Sequence, residues 1–145
     1  MKTIDITPEE FAQYKLNPGD VLFNRTNSIE YVGKAGLYYL PGEHTFASYL
    51  VRIVPKQDEI HPLFLSLMMN SREFQTEAKA SAAKVINQAN INATKMRNMA
   101  IPVPPLKDQL RFVKTVTTRE AEITAVETLL AATPARKSAI LAKYL

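Results

Sequence analysis

Up to about residue 105 the chain changes its hydrophobic rhythm every few positions. Beyond that point it keeps one rhythm to the end. Ile4-Asp5-Ile6 reads as a short strand. Thr7-Pro8-Glu9-Glu10 is a capping box, with Thr7 at the cap, Pro8 at the first helical position and Glu10 reaching back, so a short helix to about Lys15 follows. Asn17-Pro18-Gly19-Asp20 is a turn, and Val21-Leu22-Phe23 an apolar strand. Residues 24–30 are polar and are expected to be loop. Residues 31–40 carry the aromatic and β-branched content of a strand, with Gly33 and Gly36 marking a bulge or a close backbone approach. After a turn at Pro41-Gly42 comes the strongest strand signal, Y-L-V-R-I-V at 49–54, stopped by Pro55. Pro62 opens a helix expected to reach about Lys79. Its first turns, L-F-L-S-L-M-M, are apolar nearly all round and therefore buried. Residues 81–88 return to loop, and Asn90 or Asn92 can cap a short helix ending near Asn98.

A stiff elbow follows. Proline fixes φ and removes the amide donor, so Pro102 and Pro104 cannot lie in a central strand. Pro105 suits the first helical position. From Leu106 onward Leu110, Val113, Val116, Ile123, Val126, Leu129 and Leu130 recur at three- and four-residue spacings among Lys, Arg and Glu. Thr133-Pro134 predicts a kink or break, after which Ile140, Leu141 and Tyr144 continue the stripe. The pattern divides the chain into a domain over 1–105 and a helical spacer over 106–145. The fold class is α+β: a small mixed domain followed by a long amphipathic helix of coiled-coil type. About 25 helical residues span roughly 40 Å, too long a stripe for so small a body to cover, so half of it is expected to need a partner.

Length and composition narrow the function. The 145 residues are 46% hydrophobic and 22% charged, as in an ordinary globular chain. There is no Cys, which removes thiol nucleophiles and thiolate metal sites and suits the reducing cytoplasm expected for this chain. No apolar run is long enough to span a bilayer. The net charge of +4 is uneven: residues 1–70 hold six Lys/Arg and eight Asp/Glu, residues 71–145 twelve and six. A basic second half is compatible with a nucleic-acid face, although a mild excess of Lys is also common on solvated helices.

Catalytic chemistry has few candidates. No Gly-rich phosphate loop and no G-x-S-x-G turn is present. His61 precedes Pro62 as a helix cap would, and His44 has no evident carboxylate partner. No cofactor and no metal site is expected. What remains is polar readout chemistry on loops, in two clusters. The first is Asn24, Arg25, Thr26, Asn27 and Ser28, with Lys34 nearby. The second is Lys84, Asn87 and Gln88, with Asn90 and Asn92. Arg bonds guanine bidentately, Asn and Gln bond adenine, and Ser, Thr and Lys hold phosphates. Taken singly, these residues also suit turns, because their side chains cap local backbone.

The motifs L-N-P-G-D-V-L-F at 16–23, N-R-T-N-S with V-G-K-A at 24–35, L-M-M-N-S at 67–71 and, most specifically, N-Q-A-N-I-N-A-T-K-M-R-N-M-A-I-P-V-P-P-L-K-D-Q at 87–109 carry a resemblance. They resemble the specificity subunit of type I restriction–modification enzymes over essentially the whole chain, with Asp108 where the family more usually has Glu. In that family two target recognition domains are each followed by a long helix. The helices pack as a spacer, each domain reads half of a split DNA site, and the spacer docks methyltransferase subunits. The resemblance implies a non-catalytic, sequence-specific binder of double-stranded DNA. Its partners would be the methyltransferase subunits and, through them, the restriction subunit. The family's domain has more chain ahead of G-D-V-L-F, so residues 1–105 are expected to be its C-terminal portion. The stripe Val113, Val116, Ile123, Val126, Leu130 and Leu141 would pair with a second copy or dock a partner. The alternative is an assembly or regulatory module that binds methyltransferase subunits with little DNA binding of its own.

Overall fold

The computed structural model describes residues 6–85 and 88–144. The strand expected at Ile4-Asp5-Ile6 falls largely outside them. The chain forms two compact units, Met1–Gln109 and Leu110–Leu145. The first extends past residue 105 because the opening turn of the last helix is anchored in it, as described below.

The first unit begins with α1 (Pro8–Tyr14), where both halves of the Thr7–Glu10 capping box are made. The turn that follows is closed twice. Asp20 N donates to Asn17 O at 3.0 Å and Asn17 N donates to Asp20 Oδ2 at 2.8 Å, with Gly19 at φ 96°. β1 (Val21–Asn24) then runs between β3 (Ala35–Leu37) and β4 (Leu50–Ile53), antiparallel to both, with Val21 opposite Leu37 and Ile53. Alternation along β1 turns Val21 and Phe23 fully inward. They meet Leu65 and Met69 of α2 (Pro62–Met69) and Phe74 and Ala78 of α3 (Arg72–Ser81), together with Val32, Ala89 and Ile91. Phe23 and Phe74 meet edge to face, centroids 6.4 Å apart.

A second small antiparallel sheet has the order β2 (Thr26–Asn27), β6 (Gln88–Asn90), β5 (Ala83–Val85). The loops expected over 24–30 and 81–88 therefore each contribute strand. The mixed α+β class is as expected, and α4 (Ala93–Arg97) carries the expected Asn92 cap, whose Oδ1 accepts from Lys95 N at 2.8 Å. Two other expectations need correction. The helix after Pro62 does not run to Lys79. It stops at Asn70, and Ser71 caps a new helix through its hydroxyl to Phe74 N. His61 holds the cap position of α2 but makes no side-chain cap bond.

The strand expected over 31–40 is short because residues 31–33 are a turn. Gly33 sits at φ 87°, and a Cβ there would lie 2.9 Å from Ala78 Cβ. Left-handed strain and overpacking both act on this position, so Gly33→Ala should cost about 2–3 kcal/mol in urea denaturation. Gly36→Ala is the control, since a Cβ at Gly36 meets nothing within 4 Å. Equal stability of the two variants would refute the close approach at Gly33.

The second unit belongs to α5 (Leu106–Tyr144), 39 residues long. It begins at Leu106 as expected, but Pro105 stands just before the helix rather than at its first position, and its carbonyl accepts from Asp108 N and Gln109 N. The helix passes through Pro134 without the expected break. Proline removes the donor to the carbonyl one turn back and its ring crowds that carbonyl, but on an exposed helix the carbonyl can turn to water. Thr133 caps no new segment; its hydroxyl bonds Leu129 O at 2.9 Å. Among the described residues no helix is long and apolar enough to cross a membrane.

Candidate nucleic-acid interface

The second sheet joins the two polar clusters. β2 pairs with β6, setting Thr26 opposite Asn90 and Asn27 opposite Ala89. Register brings this about, because Ala89 and Ile91 are buried in the core and alternation turns Asn90, between them on the central strand, to the other face. Asn90 Nδ2 donates to Thr26 Oγ1 across the pair. Arg25 N and Thr26 N both donate to Tyr49 O, at 3.0 and 3.3 Å, and Ile91 N donates to Arg25 O at 2.8 Å. Residues from three separate parts of the chain thus converge.

Their meeting point is a shallow cleft of about 460 Å³ lined by Thr26, Asn27, Ser28, Tyr49 and Gln88. Ser28 N donates to Asn27 Oδ1 at 2.8 Å, which fixes that amide as part of the local turn. Gln88, which also lines the cleft, is exposed. Beside the cleft, Asn24 Oδ1 and Arg25 Nε are buried with no hydrogen-bond partner among the described residues. A buried polar group left so costs about 1–3 kcal/mol, a deficit that folds tend to keep near working sites.

Of the residues expected to act, Thr26, Asn27, Ser28 and Gln88 come together here. Asn24 and Arg25 lie on the adjoining strand and its end, their backbones engaged by Lys34 and Tyr49. Lys34 is exposed on the turn after Gly33 and does not line the cleft. Lys84 belongs to β5, opposite Ala89, and Asn87 lies outside the described residues. Tyr49 was not legible as a site residue. It stands half exposed at the head of the Y-L-V-R-I-V strand, and an exposed aromatic there was the one available signal.

The arrangement offers amide, hydroxyl and phenol groups around one cleft, a donor and acceptor set suited to base edges and phosphates. Groups for acid–base or metal chemistry are scarce around it. No set of three His, Cys, Asp or Glu among the described residues could hold a metal ion. His44 Nδ1 is engaged at 2.7 Å by the Tyr38 hydroxyl. Outside the cleft, Glu43 is held below the usual carboxylate range by its hydrogen bond to Lys15 and the charge of that ammonium. Both partners are exposed, so the pair contributes little.

The cleft of polar side chains thus lies on a small α+β domain that is followed by a long helix. Residues 2–132 match the family model described as the type I restriction modification DNA specificity domain, and the chain belongs to that family. It is 33% identical over 113 residues to the putative type I restriction enzyme MjaX specificity subunit of Methanocaldococcus jannaschii, covering 76% of this chain and 26% of that protein. It is also similar to the type I restriction enzyme StySPI specificity subunit of Salmonella potsdam, at 26% over 117 residues (79% and 25% of the two chains). The EcoKI specificity subunit of Escherichia coli is 24% identical over 119 residues (80% and 25%). The chain thus spans about a quarter of the length of these relatives.

Proposed function

We propose that this chain is a non-catalytic, cytoplasmic recognition unit of a type I restriction–modification complex. It reads one half of a bipartite site in double-stranded DNA, and its long helix docks methyltransferase subunits and a second copy of the chain. The observation that carries the reading is the β2–β6 pairing, which gathers Thr26, Asn27, Ser28, Tyr49 and Gln88 into one polar cleft. The family to which the chain belongs supports the choice of DNA as ligand. Asn27 and Gln88 suit bidentate bonding to adenine, Ser28 and Thr26 suit phosphate or base edges, and Arg25 suits guanine. Lys34 and Lys84 suit phosphates.

Selection of bound duplexes from a random pool tests this reading. A defined half-site should emerge, and an unselective pool would overturn it. Asn27→Ala and Gln88→Ala should each relax preference at one base pair, costing about 1–3 kcal/mol there. Arg25→Ala should do the same if it reads guanine. Lys34→Ala and Lys84→Ala should weaken all sequences alike and lower the salt slope by about one each. Affinity and preference unchanged in all five variants would remove the cleft from consideration.

A second reading rests on the apolar side chains of α5, of which Ile123, Val126, Leu129, Leu130, Ile140 and Leu141 are exposed. In it the chain is an assembly module that binds methyltransferase subunits with little DNA binding of its own. Retained methyltransferase binding with no measurable DNA affinity at low salt favours that reading over the first.

A further inference from the structure

A second concavity lies in the first unit, on the side of α2 and α3 and at the elbow. It is a groove of about 410 Å³ lined by Met68, Ser71, Glu73, Phe74, Glu77, Ala100, Ile101 and Pro102. Its floor is apolar. Its rim carries two exposed carboxylates, one helical turn apart on α3, and no cation. The DNA reading does not use this groove, and an acidic rim repels phosphate. The groove calls instead for an apolar side chain accompanied by a positive charge.

We propose that the groove receives Tyr144 and Lys143 from a second copy of this chain, Tyr144 entering against Met68, Phe74 and Ile101 and Lys143 meeting Glu73 and Glu77. The proposal rests on the paired spacer of the preceding section and adds an end contact to it. Two observations point to this occupant. Tyr144 is the most exposed large apolar residue described, at 79%. The stretch from Pro134 to Tyr144 carries Arg136, Lys137 and Lys143 and no acidic residue, the complement of the groove's rim.

Helix geometry brings the two together. An antiparallel pair with its two-fold between Val126 and Glu127 sets Ile123 opposite Leu130 and Val113 opposite Ile140. These two apolar pairs then face each other, while Val116 comes level with Lys137 and Val126 with Glu127. The same register carries Tyr144 to the level of Gln109, in the first turn of α5. Ile101 and Pro102, which line the groove, precede the start of α5 at Leu106 by only four or five residues. The two-fold repeats the contact at both ends, so each copy would clamp its partner's helix end.

The dissociation constant of the full chain, measured by sedimentation equilibrium at moderate salt, tests the contact. Glu77→Lys and Lys143→Glu should each weaken the dimer roughly tenfold, and the two together should recover most of the loss. Tyr144→Ala should weaken it by at least as much. Because the chain has no Cys, Glu77→Cys with Lys143→Cys should give a covalent dimer on mild oxidation. All three positions are exposed, so the variants keep the fold. A dimer whose constant is unchanged in the single variants, or whose loss is not recovered in the charge swap, overturns the end contact and leaves the paired spacer standing. A monomeric wild type overturns both.

Discussion

Gln109→Leu should destabilise the first unit by roughly 3–5 kcal/mol, among the largest losses any single polar side chain here can produce. Gln109 is fully buried in the first turn of α5. Its Oε1 accepts from His61 N at 2.9 Å, and its Nε2 donates to Glu59 O at 3.0 Å and to Pro104 O at 2.7 Å. One side chain therefore satisfies the backbone at the start of α2, in the loop before it and in the proline elbow. Leu has a similar volume and opens no large cavity, so the loss is of hydrogen bonds alone. The His61 amide is then buried without an acceptor, at about 1–3 kcal/mol, and two carbonyls lose their donor at somewhat less each. Against a total stability of about 5–15 kcal/mol, such a loss is severe. Gln109→Glu, at a pH where the buried carboxyl is protonated, keeps the acceptor for His61 and offers one O–H donor in place of two N–H donors, so it should fall between Leu and wild type. Urea denaturation monitored in the domain is the measurement. A shift under 1 kcal/mol for Gln109→Leu would mean that this amide is not what ties helix, loop and elbow together.

The sequence carried the local parts of this fold well and its distant pairings poorly. The Thr7–Glu10 box, the Asn17–Asp20 turn and the Asn92 cap are closed within three residues, so the residue types alone announce them. β1 and β4 were legible because their side chains alternate against a core. β2, β5 and β6 were not. Each has two or three residues, and Thr26-Asn27 and Gln88-Ala89-Asn90 have the composition of turns. β5 and β6 pair locally, but β2 is a strand only because it finds β6 more than sixty positions away. Local propensity has nothing to say about such a pairing. The break between α2 and α3 was written in Asn70-Ser71 and was overlooked. Asn70 is held there by tertiary bonds, its Nδ2 donating to Ala35 O at 2.7 Å and its Oδ1 accepting from Ala35 N.

The same physics governs the candidate site. Both polar clusters were visible as sets of residue types suited to DNA, but their union into one cleft follows from the β2–β6 register. Tyr49 joins them because its carbonyl accepts from Arg25 N and Thr26 N. Gln109 presents the same lesson from the other side. A polar residue in the opening turn of an amphipathic helix reads as solvated, and here it is the most deeply buried polar group described. Neither assignment was accessible without knowing which segments lie together.

Ile123→Lys combined with Leu130→Lys should convert a dimer into a folded monomer. In the single chain Ile123 is 57% and Leu130 66% exposed, and Val126 and Leu141 are also exposed. Val116, Ile123 and Leu130 recur every seven residues, the repeat that keeps one seam facing a partner helix. A Leu, Ile or Val taken fully from water contributes about 1.5–3 kcal/mol. The six positions Val113, Val116, Ile123, Val126, Leu130 and Leu141 are already partly covered by their own helix, so about half that figure applies. Across both copies the gain is on the order of 9–18 kcal/mol, comparable to or above an association cost of about 4–15 kcal/mol. The double substitution removes four of the twelve side chains at the centre of the seam. In the antiparallel register it also sets ammonium against ammonium. Lysine is a good helix former, and both positions face solvent in the single chain, so α5 should keep its helicity. Sedimentation should therefore show a monomer with an unchanged circular dichroism spectrum. If pairing also sets the span between two recognition units, the selected DNA should change in kind. Wild type should return a palindromic split site, and the monomeric variant one half-site at lower affinity with the same base preferences. A wild type that sediments as a monomer at micromolar concentration, or a double variant that remains dimeric, would rule out pairing through this stripe.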